Sequence, residues 1–463
     1  MAENRRTTCP YCGVGCGVVA TIGDDGAVAI KGDPVHPANL GRLCSKGTAL
    51  GDTLSAATRL SEPLVDGAPA GWGDAIGLIA QRFGDAVRDY GPGSVAAYLS
   101  GQMLTEDYYV ANKLFKGFLG SSNVDTNSRL CMASAVVGHK RAFGEDLVPV
   151  IYEDLERADL VILVGSNLAW CHPVLFQRLV AARKARGTKV VVVDPRRTAT
   201  CEIADLHLPL RPGTDVALFN GLLAHLDRNG AIDWDAAKTY ATGCDDARAA
   251  ATEDAPSLAA TAEACGLTTA EVGAFFALVQ GHARTVTAFS QGVNQSSRGV
   301  DKANAILNFH LATGRFGRPG AGPFSVTGQP NAMGGREVGG LANQLAAHMD
   351  FAPEDVDRVR RFWDAPKMAT APGYKAVDLF AAAARGEIKA LWVMATNPAV
   401  SLPDAGLVSA ALDACPFVVV SDCYGDSDTA RYADVLLPAT GWSEKDGTVT
   451  ESDRVISRQR ALR

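Results

Sequence analysis

The sequence predicts an α/β protein built from two related parallel sheets, preceded by a small cysteine-rich unit. Uninterrupted apolar strands alternate with helical stretches, and this pattern occurs twice with similar spacing. Continuous apolar strands of this kind are typical of parallel sheets that helices cover on both faces. The stretch CPYCGVGC at residues 9–16 marks the cysteine-rich unit.

Length and composition limit the class of protein. A chain of 463 residues exceeds a single ordinary core, so we expect two to four domains. The net charge of −7 disfavours a nucleic-acid-binding protein, which would show a basic face. No apolar run approaches the ~18 residues of a membrane span. Since no apolar stretch follows Arg5 and Arg6 to complete a signal sequence, we expect a cytoplasmic protein with no membrane partner.

Four cysteines have the spacing of a metal-cluster site. Cys9, Cys12 and Cys16 lie close together, and Cys44 follows at a distance. Three close thiolates and one distant thiolate favour a cubane [4Fe–4S] cluster. Structural zinc remains the alternative, although zinc sites usually combine two separated CxxC pairs. Lys46 follows the last cysteine, where a cation would raise the reduction potential of a cluster or bridge it to a second redox group.

The two α/β copies match element by element. The first copy opens with ADLVILVGSN and continues through a helix to KVVVVDPRR, where Asp194 ends the strand. The second copy opens with IKALWVMATN and reaches FVVVSD, where Asp422 ends the strand. Asp194 follows Asn167 by 27 residues, and Asp422 follows Asn397 by 25 residues. Similar spacing indicates a duplicated structural unit.

The polar turns of the two copies indicate nucleotide binding. Ligands of parallel sheets bind beyond the carboxyl ends of the strands, where the GSN and ATN turns offer backbone N–H groups to a phosphate. An acidic residue at the end of the next strand can accept hydrogen bonds from a ribose or a base. Neither copy contains GxGxxG, which disfavours a standard NAD site. A plain α/β scaffold is the alternative, but two copies favour two similar nucleotide-like groups.

Two further residues are candidates for the reactive centre. Cys131 lies in DTNSRLCMASAVVG, where DTNS predicts a helix cap and the helix N-terminus would stabilise a thiolate. Inert packing is the alternative for a lone cysteine. Arg336 lies in GQPNAMGGREVGG (328–340), whose five glycines predict a loop too flexible for a core element. Arg336 could hold an anion there.

Together these stretches resemble the molybdenum bis(molybdopterin guanine dinucleotide) oxidoreductases, and among them most closely the catalytic subunits of assimilatory nitrate reductases. The most specific segments are SRLCMASAVVGHKRAFGEDLVPV, VGSNLAWCHPVLFQR and PFSVTGQPNAMGGREVGGLANQLAAHMD, and the resemblance covers the whole chain. It implies a small N-terminal [4Fe–4S] domain and two related Rossmann-like α/β domains, one of them discontinuous. A C-terminal pterin-binding β-barrel domain is expected to follow but is absent, so we expect the chain to be truncated.

The expected domain division follows from this resemblance. Residues 1–56 would form the [4Fe–4S] domain. Residues 57–135 and 300–463 would form the discontinuous α/β domain. Residues 136–299 would form the inserted Rossmann-like domain, which would bind a guanine dinucleotide.

The resemblance also implies site residues. The four cysteines would hold the cluster, Cys131 would bind molybdenum, Lys46 would lie between the cluster and one pterin, and Arg336 would line the substrate funnel. Cys131, Arg336 and Lys46 are the expected catalytic residues. The expected cofactor contacts are Lys46, Gln102, Asn127, Gly165, Ser166, Asn167, Asp194, Thr214, Asp215, Gln291, Gln295, Asn397, Ser421, Asp422 and Lys445.

The implied activity is reduction of nitrate to nitrite by oxygen-atom transfer in nitrate assimilation. Electrons would enter through the cluster from ferredoxin, flavodoxin or an NADH-dependent flavoprotein subunit. Met132 follows the expected molybdenum ligand, whereas formate dehydrogenases of the superfamily usually have histidine there, so nitrate is favoured over formate. The alternatives are a formate dehydrogenase and a non-catalytic iron–sulfur electron-transfer subunit. Cys131 and Arg336 argue against the latter, which needs neither residue.

Overall fold

A computed structural model describes residues 3–462 and shows short strands that alternate with helices. The strands are rich in valine, leucine and isoleucine, whose packing suits a sheet that is buried on both faces. The strands are β1 (Glu3–Thr8), β2 (Gly17–Ile22), β3 (Val28–Gly32), β4 (Leu64–Val65), β5 (Ala68–Pro69), β6 (Val95–Leu99), β7 (Val124–Thr126), β8 (Leu160–Val164), β9 (Lys189–Val193), β10 (Leu206–Leu208), β11 (Thr285–Phe289), β12 (Gly322–Ser325), β13 (Ala390–Met394), β14 (Val418–Asp422), β15 (Val435–Pro438), β16 (Gly447–Thr450) and β17 (Ile456–Gln459).

The helices between these strands are mostly short, and several of them bury residues against the sheets. A π-helix, Lys113–Leu119, directly continues the third α-helix. The α-helices are α1 (Ser45–Thr48), α2 (Trp72–Tyr90), α3 (Thr105–Asn112), α4 (Ser128–Phe143), α5 (Tyr152–Arg157), α6 (Leu168–Cys171), α7 (Pro173–Arg186), α8 (Asp215–Arg228), α9 (Trp234–Lys238), α10 (Cys244–Asp254), α11 (Leu258–Cys265), α12 (Thr269–Gly281), α13 (Gln291–Asn294), α14 (Gly299–Ala312), α15 (Ala332–Glu337), α16 (Pro353–Trp363), α17 (Ala376–Ala384), α18 (Pro398–Ser401) and α19 (Ala405–Ala414).

Short 3₁₀ helices lie between several of these elements. They are Leu50–Leu54, Pro92–Ser94, Ala199–Ile203, Ala346–His348, Ala430–Tyr432 and Trp442–Glu444.

Among the helices of residues 3–462, none is by itself both long and apolar enough to cross a membrane. The pair α11 and α12, bent by 113°, meets that requirement together by length and composition alone.

The N-terminal unit is a three-stranded antiparallel sheet in the order β1-β2-β3. The C-terminal hairpin β16–β17 packs beside β1, and the Arg460 backbone N–H donates to the Thr7 hydroxyl at 2.9 Å. The first and last described strands are therefore neighbours in space.

The first α/β unit contains a five-stranded parallel sheet in the order β10-β9-β8-β11-β12. Side chains of β8 alternate between its two faces. Ile162 packs into a core with α8 and α14, whereas Val161 and Leu163 pack into a core with α5 and α7. Helices therefore cover both faces of this sheet, as the apolar strands predicted.

The second α/β unit contains a seven-stranded sheet in the order β5-β4-β15-β14-β13-β6-β7. Strands β15 to β7 are parallel, and the short hairpin β4–β5 adds an antiparallel edge. Its strands come from both sides of the first unit in the chain, which confirms the predicted fold of two parallel-sheet domains, one of them discontinuous. The predicted boundary at 299/300 falls at the start of α14, however. The inserted sheet extends to Ser325, because β12 pairs with β11.

The turns after β8 and β13 share the same side-chain hydrogen bond. In the first unit, the Asn167 Oδ1 accepts a hydrogen bond from the Thr200 hydroxyl at 2.8 Å. In the second unit, the Asn397 Oδ1 accepts one from the Thr429 hydroxyl at 2.7 Å. Asn167 and Asn397 therefore stabilise their own turns through the side-chain oxygen.

A carboxylate connects neighbouring strands in both units. Asp205 accepts a hydrogen bond from the Val190 backbone N–H at 2.8 Å, and Asp434 accepts one from the Val418 backbone N–H at 2.7 Å. Val190 is the second residue of β9, and Val418 is the first residue of β14. Asp205 follows Asp194 by 11 residues and Asp434 follows Asp422 by 12 residues, so the carboxylates also occupy matching positions in the two copies.

Replacement of this carboxylate should destabilise the second unit. We expect Asp434→Ala to lower the free energy of unfolding by about 1–3 kcal/mol, because a buried N–H loses its partner. Asp434→Asn keeps an acceptor oxygen and should lose less. Chemical denaturation of both variants measures the difference, and equal stability of Asp434→Ala and the unchanged protein would contradict this role.

Candidate active site

The four predicted cluster ligands line one cavity. Cys9, Cys12, Cys16 and Cys44 surround the space between the β1–β2 connection and α1. Within residues 3–462, no three histidine, cysteine, aspartate or glutamate side chains could hold a single metal ion. Burial raises the pKa of Cys9 to about 12, so thiolates here need the positive charge of a bound metal centre.

Close contacts hold the cysteine loop in place. Gly13 donates its backbone N–H to the Gly328 carbonyl at 3.0 Å, and a Cβ on Gly13 would lie 2.3 Å from the Thr327 carbonyl oxygen. Gly15 has a φ of +67°, and a Cβ there would lie 2.1 Å from the Glu451 Cγ. The loop can fold only because these two positions lack a side chain.

Lys46 lies on α1 and lines the same cavity as the cysteines. Its ammonium is exposed and lies 6.0 Å from the centre of the Tyr11 ring. The structure therefore places a cation beside the cysteines, as expected. Its part in electron transfer stays a prediction.

Several predicted cofactor contacts line a second cavity of about 310 Å³ at the carboxyl ends of β8, β9 and β11. The adjoining Ser166 hydroxyl is buried and has no hydrogen-bond partner among the described residues. Such a group fits a bound ligand that supplies the missing partner. The predicted contacts that line this cavity are Gly165, Asn167, Asp194, Asp215 and Gln291.

Lys302 and Arg196 also line this cavity, and the sequence analysis missed both. The Lys302 ammonium lies 2.7 Å from the Asp215 carboxylate, and both side chains are buried. Lys302 comes from α14, far along the chain from Asp215, and no local motif marks it. A buried cation in this position suits an anionic ligand.

A third cavity, of about 620 Å³, lies at the carboxyl ends of β13, β14 and β15. Ser421 and Lys445 line it, and Trp392 forms part of its wall. The Trp392 indole N–H donates to the Ser421 hydroxyl at 2.9 Å, and the Lys445 ammonium lies 3.0 Å from the Asp107 carboxylate. The remaining predicted contacts of this unit, Asn397 and Asp422, lie at the same sheet edge. Burial raises the pKa of Asp422.

Cys131 and Arg336 line a cavity between the two sheets, together with Ser128, Thr327 and Leu341. The Gln291 side-chain N–H donates to the Cys131 sulfur at 3.1 Å. Burial raises the pKa of Cys131, although Gln291, the Gly328 N–H and the charge of Arg336 act in the opposite direction. The thiolate therefore needs a bound cation to complete its stabilisation.

The segment around Arg336 is not the flexible loop that its glycines predicted. Residues 332–337 form the buried helix α15. A Cβ on Gly335 would lie 2.6 Å from the Tyr108 ring, so this glycine permits close packing rather than flexibility. The Arg336 Nε lies 3.3 Å from the Asp146 carboxylate, which is almost completely buried. The helix and this ion pair fix the direction of Arg336.

Asn127 precedes α4 but does not cap it, contrary to the prediction from DTNS. Its Oδ1 accepts hydrogen bonds from the Gly101 N–H at 2.9 Å and the Gln329 side chain at 2.8 Å. Its Nδ2 donates to the Thr396 hydroxyl at 3.1 Å. Asn127 therefore connects segments that follow strands of both sheets, and these contacts take the place of the cap.

The other predicted contacts lie at the margins of these cavities. Gln102 follows β6 and is exposed. The Gln295 side chain donates to the Leu130 carbonyl at 2.9 Å, and the Thr214 hydroxyl donates to the Arg211 carbonyl at 2.6 Å. Their roles in cofactor binding stay predictions.

Two family models match the chain. The model described as Molybdopterin oxidoreductase Fe4S4 domain matches residues 3–56, and the model described as Molybdopterin oxidoreductase matches residues 59–463. The chain belongs to the molybdopterin oxidoreductase family.

Sequence identity to named proteins supports this family assignment. A nitrate reductase of Klebsiella oxytoca is 55% identical over 100% of this chain and 52% of its own length. A periplasmic nitrate reductase of Desulfovibrio desulfuricans is 40% identical over 98% of this chain and 63% of its own length. The chain thus spans about half to two thirds of these relatives. The solved structure of acetylene hydratase from Pelobacter acetylenicus shares the fold, with a TM-score of 0.81 at 20% identity, and the match covers 99% of this chain and 66% of that one.

The family establishes the two cofactors as Mo-bis(molybdopterin guanine dinucleotide) and one [4Fe–4S] cluster. The described residues fit both. Four thiols line one cavity, and two cavities whose linings include Lys302 and Lys445 lie at the carboxyl edges of the two sheets. A cysteine lies between those edges.

The tight packing of Gly15 should be necessary for the cluster. We expect Gly15→Ala to lose most of its iron, because the added methyl group collides with Glu451 in the cysteine loop. Gly26→Ala is the matched control, since Gly26 also has positive φ but has no atom within 4 Å of the added Cβ. Iron and labile sulfide per chain measure the effect. Equal iron loss in both variants would show that backbone conformation, not packing, is responsible.

Proposed function

We propose that the protein to which this chain belongs is a nitrate reductase, which reduces nitrate to nitrite. The observation that carries the proposal is the cavity that Arg336 and Cys131 share between the two sheets. The names of the relatives support the same substrate. An anion that enters this cavity meets a guanidinium beside the Cys131 sulfur, which suits a small anionic substrate such as nitrate.

Molybdenum, when bound, supplies two-electron oxygen-atom-transfer chemistry. Cys131 is its proposed thiolate ligand, and the Gln291 N–H stabilises the negative sulfur. Arg336 binds the substrate, because a planar guanidinium matches the planar oxygens of nitrate through two parallel hydrogen bonds. The Asp146 carboxylate keeps the guanidinium in place.

The two sheet-edge cavities bind the two guanine dinucleotide arms. Asp194 and Asp215 line the cavity at the ends of β8, β9 and β11, where Lys302 and Arg196 offer positive charge to phosphates. Ser421 and Lys445 line the cavity at the ends of β13, β14 and β15, where the Trp392 indole offers an aromatic wall. Lys46, which lines the cysteine cavity, would lie between the cluster and one pterin.

Cys9, Cys12, Cys16 and Cys44 would hold the [4Fe–4S] cluster, which would supply one-electron transfer. We propose ferredoxin, flavodoxin or an NADH-dependent flavoprotein as the donor, and a cytoplasmic role in nitrate assimilation. Because one relative is named a periplasmic enzyme, fractionation of cells that express the full-length protein tests the location. Recovery in the periplasm would reject the assimilatory role.

Formate oxidation is the second candidate activity. Met132 is buried beside Cys131 and offers no group that exchanges protons, which favours nitrate. Formate-dependent reduction of an artificial acceptor, with little nitrate turnover, would reverse the assignment.

Loss of the proposed molybdenum ligand should abolish activity. We expect Cys131→Ala in the full-length protein to lose nitrate reduction and to keep the electron paramagnetic resonance signal of the cluster. Cys244→Ala, in the remote helix α10, removes a buried thiol without an expected effect. Full nitrate reduction by Cys131→Ala would refute the proposed centre.

Loss of the proposed substrate cation should mainly weaken binding. We expect Arg336→Gln to raise the KM for nitrate by about tenfold or more, because a charge-assisted hydrogen bond contributes ~1.5–3 kcal/mol. The kcat should change less. Steady-state kinetics with a reduced dye separate the two constants, and an unchanged KM would exclude Arg336 from the substrate site.

A further inference from the structure

Lys116 is a completely buried lysine on the π-helix Lys113–Leu119. Its ammonium donates three hydrogen bonds to backbone carbonyl oxygens, those of Gly339 at 2.5 Å, Leu341 at 2.9 Å and Gln344 at 2.9 Å. All three acceptors belong to one short segment that follows α15. A buried ammonium needs this complete set of partners, because each unsatisfied donor would lose its hydration without compensation.

That segment forms part of the proposed substrate site. Leu341 lines the cavity of Cys131. The Gln344 side chain donates to the Arg336 carbonyl at 2.6 Å. The three hydrogen bonds of Lys116 therefore fix one wall of the cavity and, through Gln344, the backbone of the substrate cation.

The charge of Lys116 depends on its surroundings. Burial lowers the pKa of Lys116 to about 7, while the Asp125 carboxylate raises it and Arg129 lowers it. Asp125 and Arg129 also pair with each other at 2.9 Å. An ammonium has three N–H donors and a neutral amine has two, so deprotonation near neutral pH leaves one carbonyl of the segment without its hydrogen bond.

We propose that Lys116 is a positioning residue of the nitrate site, which holds residues 339–344 against Arg336 only while it carries its positive charge. The inference rests on the proposed nitrate reduction. Lys116 does not line the cavity and touches no reacting atom. It acts through Leu341 and Gln344, so its protonation controls the affinity for the anion more than the rate of the chemical step.

Kinetics of the full-length holoenzyme test this role. Lys116→Met removes the donors and nearly keeps the side-chain length. At pH 6 we expect its KM for nitrate to rise by about tenfold, which corresponds to the loss of one charge-assisted hydrogen-bond network, with a smaller change in kcat. The KM of the unchanged enzyme should rise between pH 6 and 8.5, and that of Lys116→Met should not follow it.

Lys113→Met is the matched control. Lys113 lies on the same π-helix, and its ammonium lies 5.9 Å from the Phe118 ring, away from residues 339–344. This variant should keep the KM and its pH profile. An unchanged KM in Lys116→Met, or a pH profile parallel to that of the unchanged enzyme, would overturn the proposal.

Hydrogen exchange provides a second measurement that needs neither activity nor a variant. In the unchanged holoenzyme, amide protection of residues 339–344 should fall between pH 6 and 8.5 after correction for intrinsic exchange. Constant protection would overturn the proposal even if Lys116→Met does not fold. Absence of nitrate turnover in the unchanged enzyme would instead reject the proposed function, and the exchange result would still show whether Lys116 controls the segment.

Discussion

The junction between the carboxyl edges of the two parallel sheets determines where every other part of the site lies. Asn127 connects these edges, since its carboxamide bonds to Gln329 beyond β12 and to Thr396 beyond β13. Because parallel sheets bind ligands beyond the carboxyl ends of their strands, this junction brings both sets of binding turns toward α4. Cys131 lies in the first turns of that helix and therefore lies between the two sets.

The cysteine-rich unit depends on contacts with distant parts of the chain. Gly13 and Gly15 pack against Thr327 and the completely buried Glu451, which belongs to the C-terminal part of the described chain. Burial raises the pKa of Glu451 to about 9, so this side chain is neutral at pH 7 and places no negative charge behind the thiols. The Ser457 hydroxyl donates to it at 2.6 Å. The cluster site and the C-terminal hairpin are thus one packed assembly.

The internal repeat is visible in the sequence because the side-chain hydrogen bonds that hold each turn repeat as well. The matched turns at Asn167 and Asn397 each use the side-chain oxygen to bind a threonine further along the chain. The cavities beside these turns nevertheless differ. Lys302 and Arg196 provide cations to the cavity at the ends of β8, β9 and β11, whereas Trp392 forms a wall of the cavity at the ends of β13, β14 and β15. The repeat fixes the backbone of each turn, and the residues around it make the two cavities different.

The amino-acid sequence by itself determined the cysteine cavity, the two parallel sheets and the binding turns, because spacing and apolar periodicity are local properties of the chain. Tertiary structure decided the rest. It converted the glycine-rich segment around Arg336 into a buried helix, paired Lys302 with Asp215 and gave Lys116 its three carbonyl acceptors. Each of these depends on atoms from segments far apart in the chain. Charge pairing and close packing across such distances leave no periodic signal in the sequence.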